Sequence, residues 1–477
     1  MILWLIILTK KILLLSDDLR MSSGIGTMSK EFVLGTLHHY DWAQLGGAIK
    51  HPEGGKVINM NEAVSNTTGV EDAVLTIYPT DGYGDQELLR SLIAKENPDA
   101  ILHYTDPRFW GWLYEMEHEI RQEVPIFYYN IWDDWPAPQY NEDFYECSDL
   151  IMNISKQTVA IVKDVAKKKP RTDWDCTYLP HGVDNQFYPI SVFDDEYKHV
   201  ESMKKQLTDD NIEFVMFYNN RNIRRKNPGD LILAFKTFCD TLPKEDADKC
   251  CLLLHTQPKD DNGTDLPEVV KAICPDYKVY FSTKKLETNQ LNWLYNIADV
   301  TINIASNEGF GLGTCESLMA GTPITVNITG GLQDQCGFKL KKYSPDRTGY
   351  SDTYLTAGDY DEIKSLHDDR KWANNPDLTW GEWVKPVWPS NRALVGSPQT
   401  PYIFDDRCRF DDAADAIKYW YDMKSEERKE CGTKGHEFVV GEDSMMSAKA
   451  MSKNFIDHMD TAFDKWKPRK RYNIFKV

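Results

Sequence analysis

Residues 305–331 read Ala305-Ser306-Asn307-Glu308-Gly309-Phe310-Gly311-Leu312-Gly313-Thr314-Cys315-Glu316-Ser317-Leu318-Met319-Ala320-Gly321-Thr322-Pro323-Ile324-Thr325-Val326-Asn327-Ile328-Thr329-Gly330-Gly331. Ahead of them, Ala298 to Ile304 alternates and branches at Cβ like a buried strand, and Pro323-Ile324-Thr325-Val326 reads as a second one. Between the two, Gly309, Gly311 and Gly313 can take backbone angles closed to other residues, and Thr314 to Ala320 carries helix formers with an apolar face. The order is strand, glycine loop, helix N-terminus, strand. Unpaired N–H groups of such a loop and first helical turn point beyond the strand end and suit an anion. Glu308 and Glu316 stand eight positions apart across the loop and can face one crevice, where carboxylates accept hydrogen bonds from hydroxyls. Phosphate on the amides and hydroxyls on the acids together describe a sugar nucleotide. The plain alternative is that Glu316 complements the helix dipole and Glu308 is a solvated loop residue.

The stretch from Glu308 to Pro323 resembles the E-x7-E signature of retaining GT-B glycosyltransferases of family 4, usually written E-G-F-G-L-x-x-x-E-A-x-A-x-G-x-P-V. The resemblance implies an α/β chain with two Rossmann-like, doubly wound parallel-sheet domains facing a cleft. It also implies donor-sugar contact by Glu308, ribose contact by Glu316, and approach of the Gly309, Phe310, Gly311 and Leu312 backbone to sugar and phosphate.

At 477 residues the chain exceeds what one core covers, so two domains are expected. Lys and Arg number 55 against 74 Asp and Glu, a net charge of −19 that disfavours non-specific binding to nucleic acid or anionic membrane. Ten cysteines without a C-x-x-C pair read as reduced thiols of a cytoplasmic protein rather than a disulfide framework or zinc site. Met1 to Leu8 is apolar, but it lacks a basic n-region and Lys10-Lys11 follow where a cleavage site would be wanted, so an extension of the first strand is expected. No run is long enough to span a bilayer. The sequons at Asn66, Asn153, Asn262 and Asn327 are then chance matches.

Lys11 to Asp18 is a buried-strand run, and Ser22-Ser23-Gly24-Ile25-Gly26-Thr27 is a second glycine loop before a helix expected from Met28 to Leu37. In the resembled family a glycine pair here faces the donor diphosphate, a role that falls on Gly24 and Gly26; a simple tight turn explains them too. Strands at Val74–Tyr78, Ala100–Tyr104, Pro125–Asn130 and Leu150–Ile154, with a helix at Gln86–Glu96, argue for a parallel sheet covered on both faces. His103 and Asp106 end one strand, and Asn130, Asp133 and Asp134 the next, where ligands bind in such sheets. Leu179 to Pro189 resembles the I-P-N-G-V-D-x-x-x-F-x-P segment that closes the family's first domain, with His181 in place of Asn. The charged run from Asp194 to Asp210 reads as a linker.

Glu213 to Tyr218 opens the second domain as a strand, followed by Arg221, Arg224, Arg225 and Lys226 within six residues. Four cations at a strand end suit two phosphates, since Arg offers a fork and Lys a point charge. The run resembles the family's R-x-x-x-R-K-G segment, which gives Lys226 the diphosphate and leaves Arg221 or Arg225 as its partner. Further expectations are a helix at Leu231–Phe238 and strands at Cys251–Thr256 and Lys278–Phe281. Nothing in Phe281 to Leu286 tells which base is read. Roughly seventy residues from Gln333 to Thr400, with Trp372, Trp380, Trp383 and Trp388, exceed an ordinary connection and read either as a lid or acceptor platform or as a small extra core. Met451, Phe455, Met459, Phe463 and Trp466 recur at helical spacing, and in GT-B proteins such a last helix crosses back to the first domain. Lys467 to Arg471 forms a basic tail.

The resulting expectation is an N-terminal Rossmann-like acceptor domain (1–192), a linker (193–211), a donor domain (212–432) with an insert (333–400), and a C-terminal crossing helix with its tail (433–477). The expected activity is retaining sugar transfer from a UDP-, GDP- or ADP-sugar to a glycan, lipid, protein or modified nucleobase. No cofactor or metal is expected, because Lys226 with Arg225 or Arg221 supplies charge for the leaving diphosphate. Asp173-Trp174-Asp175 resembles a metal-binding D-x-D, but its place in a polar linker argues against that role. Many family members carry a His where Asn130 stands here, so His103, Asp133 or backbone contacts alone would take its part. A non-catalytic sugar-nucleotide-binding subunit and a GT-B epimerase or phosphorylase are the rival readings. Donor base, acceptor and oligomeric state are not legible.

Overall fold

The first strand, β1 (Lys10–Asp17), carries Ile12 to Leu15 with all four side chains buried, so it is covered on both faces as a central parallel strand must be. The computed structural model describes residues 9–167, 175–344, 349–368 and 370–470. With β1 belong β2 (Tyr40–Ala48), β3 (Ile58–Asn59), β4 (Leu75–Asp81), β5 (Ala100–Tyr104), β6 (Ile126–Asn130), β7 (Leu150–Asn153) and β8 (Asp175–Tyr178). They form one sheet in the order β3-β4-β2-β1-β5-β6-β7-β8, parallel except for the short edge strand β3. A second, all-parallel sheet runs β11-β10-β9-β12-β13-β17. Its strands are β9 (Phe214–Asn219), β10 (Cys250–His255), β11 (Lys278–Ser282), β12 (Val300–Asn303) and β13 (Ile324–Asn327), joined after an excursion by β17 (Val384–Val387). That excursion holds β14 (Lys339–Tyr343), β15 (Tyr350–Tyr354) and β16 (Leu378–Thr379), which form a small antiparallel sheet. A hairpin of β18 (Asn391–Ser397) and β19 (Thr400–Arg407) follows β17.

Several segments depart from the expectations. The helix after β1 begins at Gly24 rather than Met28, because Ser23 is its N-cap and its Oγ accepts from Gly26 N at 2.9 Å. The charged run after the first sheet is largely a helix, Tyr197–Asp209, held by His199 stacked on Trp293 with centroids 4.2 Å apart. In the tryptophan-rich stretch Trp383 and Trp388 are buried, Trp372 and Trp380 are half-buried, and Phe338, Trp380 and Trp388 pack together as a small core. The stretch is not wholly an insert either, since Val384–Val387 completes the second sheet. Met1 to Leu8, Asp173, Trp174 and Arg471 lie outside the described residues.

The last helix, Ala448–Lys465, packs on elements of the first sheet. Phe455 stacks on Phe32 at 5.1 Å, Phe463 meets Phe127 edge-on at 5.1 Å, and His458 approaches the Tyr178 carbonyl at 3.2 Å. Its start is pinned by Gly182, where a Cβ would lie 2.6 Å from Ala448 Cα and 2.7 Å from Met451 Cβ. No helix among the described residues is long and apolar enough to cross a membrane. All ten cysteines are free thiols.

Because this contact leaves no room for a methyl group, Gly182→Ala should cost about 1–3 kcal/mol by overpacking. Chemical denaturation checks it; a variant as stable as wild type would show that the helix seats otherwise.

Candidate active site

The loops at the C-terminal ends of β9, β12 and β13 are tied to one another through their backbones. Beyond β9, buried Asn222 donates from Nδ2 to the carbonyls of Gln257, Pro258 and Thr264, which fixes the loop. A short 3-10 turn, Arg224–Lys226, then ends at Asn227 in the left-handed region (φ 50°), whose Nδ2 donates to Ile304 O at 3.0 Å. Ser306 N donates to Arg225 O at 2.8 Å. These links bring Lys226 Nζ against Glu308 Oε2 in a buried ion pair. Arg225 lies beside it, with Nη1 donating to Asn307 O at 2.5 Å and standing 3.6 Å from Glu308.

Gly311 takes φ 89° as N-cap of the helix Leu312–Met319, and Gln335 Nε2 donates to the carbonyls of Phe310 and Gly311. The helix therefore presents its first-turn amides at this end. Its Glu316 accepts from Tyr295 Oη at 2.6 Å and from Asn219 Nδ2 at 3.4 Å. Gly330 (φ 47°) and Gly331 back the loop: a Cβ on Gly330 would lie 1.9 Å from Glu308 O.

The first domain closes on these loops. The Phe310 ring packs on His181 at 5.3 Å, and His181 is held by Tyr129 Oη at 3.0 Å and Tyr104 Oη at 3.2 Å. Asn307 Nδ2 bonds Asp134, Gly330 N donates to Gln157 Oε1 at 3.2 Å, and Lys156 N donates to Asp334 at 3.0 Å. At the other side, Lys285 Nζ donates to Ser22 Oγ at 2.9 Å. That bond puts the Ser22–Gly26 loop opposite the end of β11.

Electrostatics follow from burial. Burial and the adjacent Arg225 push the Lys226 ammonium well down, while Asp133 pulls it back up, as Glu308 must by contact. Burial raises Asp134, and neighbouring Asp133 adds to it. Burial also raises Glu316 from 4.5 to about 7, against the opposing bonds from Tyr295 and Asn219.

The expected site residues divide cleanly. Lys226, Arg225, Glu308, Gly309, Phe310, Gly311, Leu312 and Glu316 come together. Gly24 and Gly26 sit in the first helical turn at the cleft; Gly26 is also needed for packing, since a Cβ would lie 2.5 Å from Met21 O. Arg221 is not in the group: it pairs with Asp260 at 2.8 Å and its side chain is 62% exposed. His103 is not either. It is fully buried, its Nδ1 2.7 Å from Tyr114 Oη and its ring stacked on Tyr128, and burial lowers it to about 3. Asn130 is likewise a buried structural residue, bonded to Asn153 and Trp132 N. Asp133 is the first-domain acid that acts on Lys226. Tyr295 and Asn219, which orient Glu316, carry no local sequence signal.

No family model matches the chain. Over 174 residues, 35% of this chain, it is 29% identical to the alpha-monoglucosyldiacylglycerol synthase of Acholeplasma laidlawii, spanning 40% of that curated relative's length. The structure resembles Anabaena HepE in complex with UDP and glucose, with a TM-score of 0.59 and 12% identity over 95% of this chain and 100% of that one. It also resembles the sucrose-phosphate synthase of Thermosynechococcus elongatus, with a TM-score of 0.60 and 15% identity over 95% and 99% of the two chains. At these identities the likeness establishes the fold, which is the two-domain GT-B arrangement.

A carboxyl raised by folding stabilises the fold below its unfolded value of 4.5 and loses that contribution as pH rises to about 7. The melting temperature of Glu316→Gln relative to wild type should therefore climb between those two pH values and then level. A difference independent of pH would contradict the raised carboxyl.

Proposed function

We propose that the protein is a retaining glycosyltransferase that moves a hexose from a UDP-sugar to an acceptor hydroxyl, without a metal. The observation that carries this reading is the buried Lys226–Glu308 pair with Arg225 beside it, placed at the N-terminus of the Leu312–Met319 helix. The glucosyl product named for the sequence relative, and the UDP and glucose in the HepE structure, favour a UDP-hexose over other donors.

In this reading the donor diphosphate takes the cations. Lys226 turns from Glu308 to the phosphate, and Arg225 with the first-turn amides shares the charge that develops there. Glu308 is thereby released to accept bonds from the sugar hydroxyls, and Glu316 receives the ribose. The bond from anomeric carbon to diphosphate oxygen breaks as the acceptor oxygen attacks from the same face. The acceptor proton passes to the departing diphosphate oxygen. Asp133, from the first domain, opposes the lowering of Lys226 by burial and by Arg225.

UDP-, GDP- and ADP-sugars with EDTA present test this by hydrolysis and by thermal shift. Wild type should respond to a UDP-hexose, and Lys226→Ala should lose about 10²–10³-fold in turnover, the scale of one preorganised charge partner. Arg221→Ala should match wild type. A dependence on added divalent metal, or full turnover by Lys226→Ala, would overturn the reading.

A further inference from the structure

We propose that the acceptor is an uncharged carbohydrate held on a ring-and-carboxylate platform of Tyr83, Phe109, Asp17 and Asp106, an inference that rests on the transfer reading above. The platform stands at the C-terminal ends of β1, β4 and β5. Tyr83 follows β4 between Gly82 and Gly84, which have φ of 74° and 76°, and Gly47 leaves it room: a Cβ there would lie 3.0 Å from Tyr83 Cδ1. Phe109 lies in the turn Pro107–Trp110, begun by Asp106, whose Oδ1 accepts from Arg108 N at 3.0 Å. The two rings stack with centroids 5.3 Å apart and planes 18° from parallel, and Trp110 supports Tyr83 from the core at 5.5 Å. Phe109 remains 49% exposed.

An exposed aromatic side chain is ordinary by itself. Here it is braced from behind, and two acids border it. Asp17 accepts from Ser23 Oγ at 3.0 Å, and burial, then Asp17 and Asp106, push the Tyr83 phenol up. The position also fits the cleft. On one flank, Ser22 is bonded by Lys285 across the cleft; on the other, Arg108 lies over the Trp132 ring at 5.6 Å, next in sequence to Asp133.

These groups choose among acceptors. A flat ring takes the C–H face of a pyranose, while carboxylates accept from several hydroxyls at once. Arg108 is engaged by Asp106, its Nε 2.8 Å from Oδ1, so its charge is already met within the platform. One exposed ring offers an acyl chain little apolar contact, and the chain's net charge of −19 disfavours an anionic bilayer.

Saturation-transfer NMR and transfer from UDP-glucose would be run on wild type, Phe109→Ala and Phe109→Trp. The acceptors are neutral trisaccharides, hexose phosphates, and diacylglycerol in phosphatidylcholine vesicles. The expected result is that a neutral trisaccharide binds and accepts sugar, that Phe109→Ala raises its KM about tenfold with a smaller effect on kcat, and that Phe109→Trp restores it. Preference for the phosphate or the vesicles, absence of trisaccharide binding, or an unchanged KM in Phe109→Ala would overturn the platform. Loss of donor hydrolysis in wild type would instead sink the transfer reading, and the NMR arm reads the platform independently of it.

Discussion

A buried ammonium and a buried carboxylate, Lys226 and Glu308, meet between two loops that leave neighbouring strands of the second sheet. Burying either charge alone would cost several kcal/mol, so the pair survives only because the backbone around it is fixed. Asn227 and Ser306 do the fixing by crossing from one loop to the other. The result is a charge pair fixed between the two loops. In the proposed function, an arriving diphosphate takes over the ammonium without leaving it unpaired, and the freed carboxylate turns to the sugar hydroxyls.

The same constraint explains how the domains sit. Loops this tightly built have little freedom to adapt, and the first domain supplies matching partners: His181 for the Phe310 ring, Asp134 for Asn307, Gln157 for Gly330. The β18–β19 hairpin adds a strap from the second domain, with Phe404 N donating to Trp135 O at 2.6 Å and Tyr140 Oη donating to Tyr402 O at 2.9 Å. Asn307 Nδ2 donates to Phe404 O at 2.8 Å, so the strap and the charged loop share a contact. The return helix closes the arrangement on the far side through Phe455 and Phe463.

Much of this was legible in the sequence because its signals are local. Aliphatic runs marked the parallel strands, and the local pattern placed Glu308 and Lys226 after strand ends and Glu316 in the helix that follows the glycine loop. What failed depended on distant partners. Arg221 and Arg225 look alike in sequence, and distant partners separate them: Asp260, 39 positions on, holds Arg221, and Asn307 O accepts from Arg225. His103 ends a strand buried on both faces, so its neighbours give no hint that it points into the core while Tyr104 points toward His181. Val384–Val387 went unread as a strand because Pro386 interrupts it, which is tolerated at a sheet edge. Helical packing on Trp293 likewise outweighs the charge of the Tyr197–Asp209 run.

The most direct test is a crystal structure with UDP bound. The account predicts the diphosphate against Lys226 and Arg225 and at the first-turn amides of the Leu312–Met319 helix, the ribose on Glu316, and Lys226 withdrawn from Glu308. A nucleotide bound elsewhere, or a diphosphate that leaves the Lys226–Glu308 pair intact, would contradict it.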